Sequence, residues 1–206
     1  MTARAVTIIS TGVANTASVA AAFRRCGALV DITDDPARVH DAARVVLPGV
    51  GSFGAGMAGL RARGLAGVIE RRVRAERPLL AICLGLQMLC VSSEESPGER
   101  GLGLIDAPVR RFPEGVRCPQ FGWNDVVADG ACRLVRAGCA YYANSYRIAQ
   151  PPGGWAVATT DHGGPFTAAV ERGGVLGCQF HPELSGAWGR ELLARWLECD
   201  AGGRAC

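Results

Sequence analysis

The 206-residue sequence contains no lysine; its 22 basic residues are all arginine. That absence excludes a Schiff-base lysine and a phosphate-loop lysine, and with them two broad routes of catalysis. Histidine is nearly as scarce, at three: His40, His162 and His181. There is no Cys-x-x-Cys pair, and the nine cysteines are an odd number. This argues against a zinc site and against a fully paired disulfide framework. No apolar run is long enough to cross a membrane. Arg4 is followed only by the short apolar stretch Ala5 to Ile9, which reads as a strand and not as a secretory leader. A net charge of +3 is too weak to argue for nucleic acid or a membrane surface. The expectation is a cytoplasmic protein with free thiols, no metal and no cofactor.

What is present suits a folded α/β domain. The chain is 49% hydrophobic and 20% charged, enough to bury a core. Ala5 to Ile9, Ala28 to Ile32 and Arg44 to Leu47 read as strands. Between the first two, Val19, Ala22, Phe23 and Cys26 recur at helical spacing, with Gly27 as a stop. Asp35 followed by Pro36 starts another helix. Leu65, Val68, Ile69 and Val73 mark one face of a further helix, before a fourth apolar run at Leu79 to Ile82. This βαβα rhythm predicts a parallel sheet with helices on both faces. After Val91 the texture changes. Ser92 to Arg100 reads as a polar loop, and short β segments follow from about Leu102 to Phe180, some expected as antiparallel hairpins over one end of the sheet. Trp188, Leu192, Leu193, Trp196 and Leu197 give a closing amphipathic helix. One domain over 1–206 is expected, with its core at about 5–198 and a short tail at 199–206.

Three pieces of chemistry fall at expected C-terminal strand ends, where open α/β sheets build their sites. Cys83 ends the run Leu79 to Ile82 and opens a helix from Leu84, a strand-to-helix elbow that lifts a reactive atom from the sheet. A helix N-terminus there favours a thiolate; taken alone, Cys83 reads more readily as a buried structural cysteine. His181 follows the apolar stretch Val175 to Phe180, with Glu183 two residues on. That carboxylate can fix the imidazole in one tautomer while the other nitrogen faces a thiol; a plain loop is the lesser reading of His-Pro-Glu. Pro48-Gly49-Val50-Gly51 brings backbone N–H groups close to a ligand. With the N–H of Leu84 they form a candidate oxyanion hole; alone, the string is a turn. His40 reads as a solvated surface residue, and His162 as part of a turn.

Five strings together resemble the class I glutamine amidotransferases: Pro48 to Gly54, Ile82 to Gln87, Gly122-Trp123-Asn124, Pro165 to Val170 and Gln179 to Glu183. Within that family the likeness runs toward the glutaminase subunits of imidazole glycerol phosphate synthase, over about Val6 to Leu197. The resemblance implies a single-domain three-layer αβα fold with a mostly parallel sheet and added antiparallel hairpins. It implies Cys83, His181 and Glu183 as a catalytic triad acting on L-glutamine. Val50, Gly51 and Leu84 would give the oxyanion hole; Gln87, Asn144, Ser145 and Tyr146 would hold substrate. Gln120, Trp123, Asn124, Tyr141 and Leu184 would face a (β/α)8-barrel synthase subunit in a heterodimer. Five positions depart from the family pattern: Ser10 for Asp, Ala14 for Gly, Gln120 and Asn144 for His, and Leu184 for a basic residue. Other readings stay open: a related subunit serving a different synthase, a catalytically dead regulatory module, and a free hydrolase of γ-glutamyl compounds.

Overall fold

In the computed structural model, residues 4–12 and 15–199 are described. Ala14 and all but Cys199 of the expected 199–206 tail therefore lie outside the described residues.

The N-terminal half follows the expected rhythm. It runs β1 (Ala5–Ile9), α1 (Thr16–Arg25), β2 (Leu29–Thr33), α2 (Pro36–Asp41), β3 (Val45–Leu47), α3 (Phe53–Ala62), α4 (Ala66–Arg74), β4 (Leu79–Ile82) and α5 (Leu84–Leu89). Local chemistry sets the boundaries. The Asp35 carboxylate accepts the Ala37 N–H at 2.8 Å, and Pro36 occupies the first turn of α2. Gly27, at φ +79°, takes the left-handed step after α1.

Strand alternation sorts the core into two clusters, one on each face of the sheet. Val6 and Ile8 of β1, Val46 of β3, and Leu80 and Ile82 of β4 join α1 and the last helix, α6 (Gly186–Leu197). Ile9, Val45, Leu47, Leu79 and Ala81 face the other way and pack with helices α2 to α5. Each such valine, leucine or isoleucine side chain contributes about 2 kcal/mol on leaving water. These are the three layers the resemblance implies. Phe23 and Trp196, with ring centroids 5.7 Å apart, close the α1–α6 side.

The second half departs from expectation in two ways. Ser92 to Arg100 is not all loop: α5 runs straight into β5 (Cys90–Ser93), and Ser92 bridges to Arg100. β5 pairs with β6 (Ile105–Arg111), and β6 with β9 (Tyr146–Ile148), in a separate three-stranded sheet. Polar serines disguised that strand, because two of its residues are only half-buried. Second, the hairpins do not fold over the end of the sheet; they extend it. β7 (Gln120–Ala128), β8 (Gly138–Asn144), β10 (Ala156–Asp161), β11 (Pro165–Arg172) and β12 (Val175–Cys178) continue it to nine strands. The order is β2-β1-β3-β4-β12-β11-β10-β7-β8, parallel as far as β12 and antiparallel beyond. β12 is the junction: it pairs in parallel with β4 and antiparallel with β11. The site forms where the sheet changes character.

Candidate active site

Cys83 stands at the end of β4, in register with β12, where its N–H donates to the Cys178 carbonyl at 2.8 Å. Its φ is +54°, one of two non-glycine residues with positive φ among those described. Such a backbone is costly for a side-chain-bearing residue and persists where packing dictates it. The packing here is tight. A Cβ on Gly85 would lie 2.0 Å from the Leu47 carbonyl oxygen, so α5 presses directly onto the end of β3. A Cβ on Gly49 would lie 2.9 Å from the Leu84 Cβ. The two glycines bring the Pro48–Ser52 loop and the start of α5 together at Cys83.

His181 lies three residues past the end of β12, which stops at Cys178 and not at Phe180. Its Nδ1 is 2.9 Å from a Glu183 carboxylate oxygen, and both side chains are almost fully buried. That bond fixes the ring and leaves the other nitrogen for the sulfur. Burial works against the charged imidazole, but the Cys83 sulfur and the Glu183 carboxylate together outweigh it. The pKa rises to about 10, so the ring is protonated at neutral pH. An imidazolium beside a sulfur is the setting in which thiolate is the attacking species. Replacing Cys83 by alanine removes the first of the two raising influences. The His181 ring is then expected to titrate at lower pH, followed by NMR of its ring protons; an unchanged titration would mean that sulfur and ring do not interact.

The sulfur has a further partner that motif reading gave no role. Gln179, fully buried, donates from Nε2 to Cys83 Sγ at 3.5 Å. Its carbonyl oxygen accepts Gln87 Nε2 at 2.9 Å, and the same nitrogen donates to the Tyr146 carbonyl at 3.1 Å. With its amide nitrogen so committed, Gln87 presents its oxygen as the free acceptor. Gln179 lies within the His-Pro-Glu string, and its spacing alone carried no signal.

These groups open onto a cavity of about 470 Å³. Val50, Gly51, Leu84, Gln87, Asn144, Ser145, Tyr146 and Tyr141 all line it, as do Cys83, His181, Glu183 and Leu184. The structure thus brings together the expected triad, oxyanion and substrate residues. Gly51 has φ +97°, a conformation that favours glycine. Leu84 is the first residue of α5, where an N–H has no partner within the helix. Glu95, read earlier as part of a polar loop, also lines the cavity and accepts the Phe53 N–H at 2.6 Å.

The expected interface residues divide. Trp123 (58% exposed) and Leu184 (44%) stand in the open, beside Phe121 (69%) and Val50 (42%). Asn124 and Tyr141 are half-buried. Gln120 is buried and pairs in register with Asn144, also buried, across β7 and β8. Strand alternation puts Gln120 on the face opposite Trp123, so it offers no surface to a partner; this corrects its assignment to the interface. His40 is exposed and bonded to Asp41, and His162 bonds the Arg117 carbonyl, so both stay outside the site. Among the described residues no group of His, Cys, Asp or Glu is arranged to hold a metal.

A cysteine on a strained elbow and an imidazole with its carboxylate open onto one cavity, an arrangement suited to thiol-dependent chemistry. Residues 7–198 match the model of the family described as glutamine amidotransferase class-I, and the chain belongs to that family. The chain is 41% identical, over 95% of its length and 95% of the relative's, to the imidazole glycerol phosphate synthase subunit HisH of Symbiobacterium thermophilum. It is 42% identical to the subunit of the same name from Yersinia pseudotuberculosis, over 94% of this chain and 98% of that one. A solved structure described as a glutamine amidotransferase superposes with a TM-score of 0.75 at 20% identity, covering 94% of this chain and 97% of the other. At that identity the likeness shows the fold alone.

Proposed function

We propose that the chain is the glutaminase subunit of an imidazole glycerol phosphate synthase. The observation that carries the reading is the meeting of Cys83, His181 and Glu183 in one cavity, in a chain about 40% identical to subunits of that name. Cys83 Sγ attacks the side-chain carbonyl carbon of glutamine, and the oxyanion is held by N–H groups of the Val50–Gly51 loop and Leu84. The C–N bond breaks as the His181 imidazolium gives its proton to the departing nitrogen, releasing ammonia and leaving a glutamyl thioester. Water then attacks the thioester; His181 takes a proton from that water and passes it to the leaving sulfur, and glutamate departs. Glu183 orients the ring throughout and stabilises it whenever it is protonated. Gln87, Asn144, Ser145 and Tyr146 hold the glutamine, and the Glu95 carboxylate, which lines the same cavity, receives its ammonium.

Ammonia set free in neutral water is protonated and loses its nucleophilicity, so a dry passage to an acceptor enzyme is a physical requirement. The exposed Phe121, Trp123 and Leu184 beside the cavity mouth suit the docking of a (β/α)8-barrel synthase subunit. There the ammonia is added to a nucleotide-derived intermediate; its nitrogen enters the ring of imidazole glycerol phosphate, and the remainder of the intermediate is released as aminoimidazole carboxamide ribotide. The heterodimer works in the cytoplasm; among the described residues no helix is long and apolar enough to cross a membrane.

The test pairs the chain with that barrel subunit. The complex forms product from glutamine or from ammonium salt, whereas Cys83→Ala with the same partner forms it from ammonium salt alone. Equal glutaminase turnover with and without the barrel would overturn the coupled reading.

A further inference from the structure

A serine that follows a short 3-10 turn (Pro182–Leu184) and precedes a helix is expected to cap it. Ser185 stands at that position before α6, yet its side chain makes no bond to the helix. It is turned the other way and buried, 1% exposed. Its hydroxyl donates to the His181 carbonyl at 2.6 Å and accepts the Tyr141 N–H at 3.0 Å. The His181 N–H in turn donates to the Tyr141 carbonyl at 2.8 Å. The four backbone groups of His181 and Tyr141 thus form one closed ring of hydrogen bonds, in which Ser185 Oγ is the only side-chain member. His181 has left its own strand by this point, and this ring is what ties it to β8. Tyr141 also packs edge-on against the exposed Trp123, with ring centroids 6.1 Å apart.

We propose that Ser185 is a positioning residue. It gives up a helix cap to lock His181 against β8, so that the imidazole and the rim carrying Trp123 and Tyr141 keep a fixed relation. A local rule broken beside a catalytic group is where function is expected to override stability. The inference rests on the reading of Cys83 and His181 as the reacting pair. Ser185 does not line the cavity; its loss therefore removes no direct contact to substrate and acts through the backbone of His181 and Tyr141.

The experiment compares the full chain, unaltered and as Ser185→Ala, for glutaminase activity with the barrel subunit present and for Cys83 alkylation by iodoacetamide across pH. The expected result is a kcat lower by about tenfold or more with KM within about twofold. The alkylation profile moves to higher pH, because the imidazolium no longer sits squarely at the sulfur, and Ser185→Thr restores both. Should Ser185→Ala not fold, Ser185→Cys, which keeps the bulk but weakens the donor, is read by the same criteria. Unchanged kcat and pH profile in a folded variant, or an equal loss in Ser185→Thr, would overturn the proposal. Failure of iodoacetamide to reach Cys83 in the unaltered chain would instead overturn the pairing of sulfur and imidazole on which it rests.

Discussion

Cys83→Ala is expected to fold normally and to lose glutamine hydrolysis by at least about 10⁴-fold in kcat. Among the described residues that line the cavity, Cys83 carries the one thiol. On the proposed reading His181 and Glu183 do not replace it: they move and hold protons and form no bond to the substrate carbon. Folding is spared for a separate reason. Cys83 is 8% exposed and small, and alanine meets the same positive φ that cysteine already tolerates. Release of glutamate, with thermal melting as the control for folding, separates the two effects. Hydrolysis within about tenfold of the unaltered chain would remove the sulfur from the reaction.

Gly85→Ala is the second large effect, and it acts on the fold. An added methyl would sit 2.0 Å from the Leu47 carbonyl oxygen and 3.1 Å from its carbon. Both are backbone atoms in a strand between two others, so no rotamer change relieves the overlap. Helix α5 must lift from β3, and Cys83 and the Leu84 N–H move with it. Overpacking of this kind costs about 3 kcal/mol, or a melting temperature lower by about 6–12 °C for a chain of this size. Activity falls further than stability, because the elbow is what displaces. Gly130→Ala is the matched control: nothing lies within 4 Å of its added carbon, and the change is expected to stay within about 0.5 kcal/mol. Equal melting temperatures for the two variants would mean that α5 does not press on β3 as described.

The site was more legible in the sequence than the second half of the fold, for a physical reason. Cys83 and the Pro48–Gly51 loop sit at the ends of fully buried parallel strands, and such strands print as unbroken apolar runs. β3 and β4 do so over their whole length. The antiparallel strands print less clearly. β7 reads as buried and open positions with Gly122 at φ +118°, so neither its length nor its place in the main sheet could be taken from pattern. β5 was hidden by its serines. Pairing order is a long-range property, and local residues do not encode that β12 joins β4 to β11. Gln179, Glu95 and Ser185 escaped for a related reason. Each acts through a hydrogen bond to a residue distant in the chain or to a backbone group, and none of the three leaves a spacing to recognise.

The most direct test of the account is where a glutamine-shaped electrophile bonds. Treating the chain, together with the barrel subunit, with a diazo-ketone analogue of glutamine and mapping the adduct by mass spectrometry should give one modified peptide, with the label on Cys83. The label should be lost in His181→Ala. Labelling of a different cysteine, or none in the complex, would contradict the claim that this sulfur, this imidazole and this carboxylate form the working site.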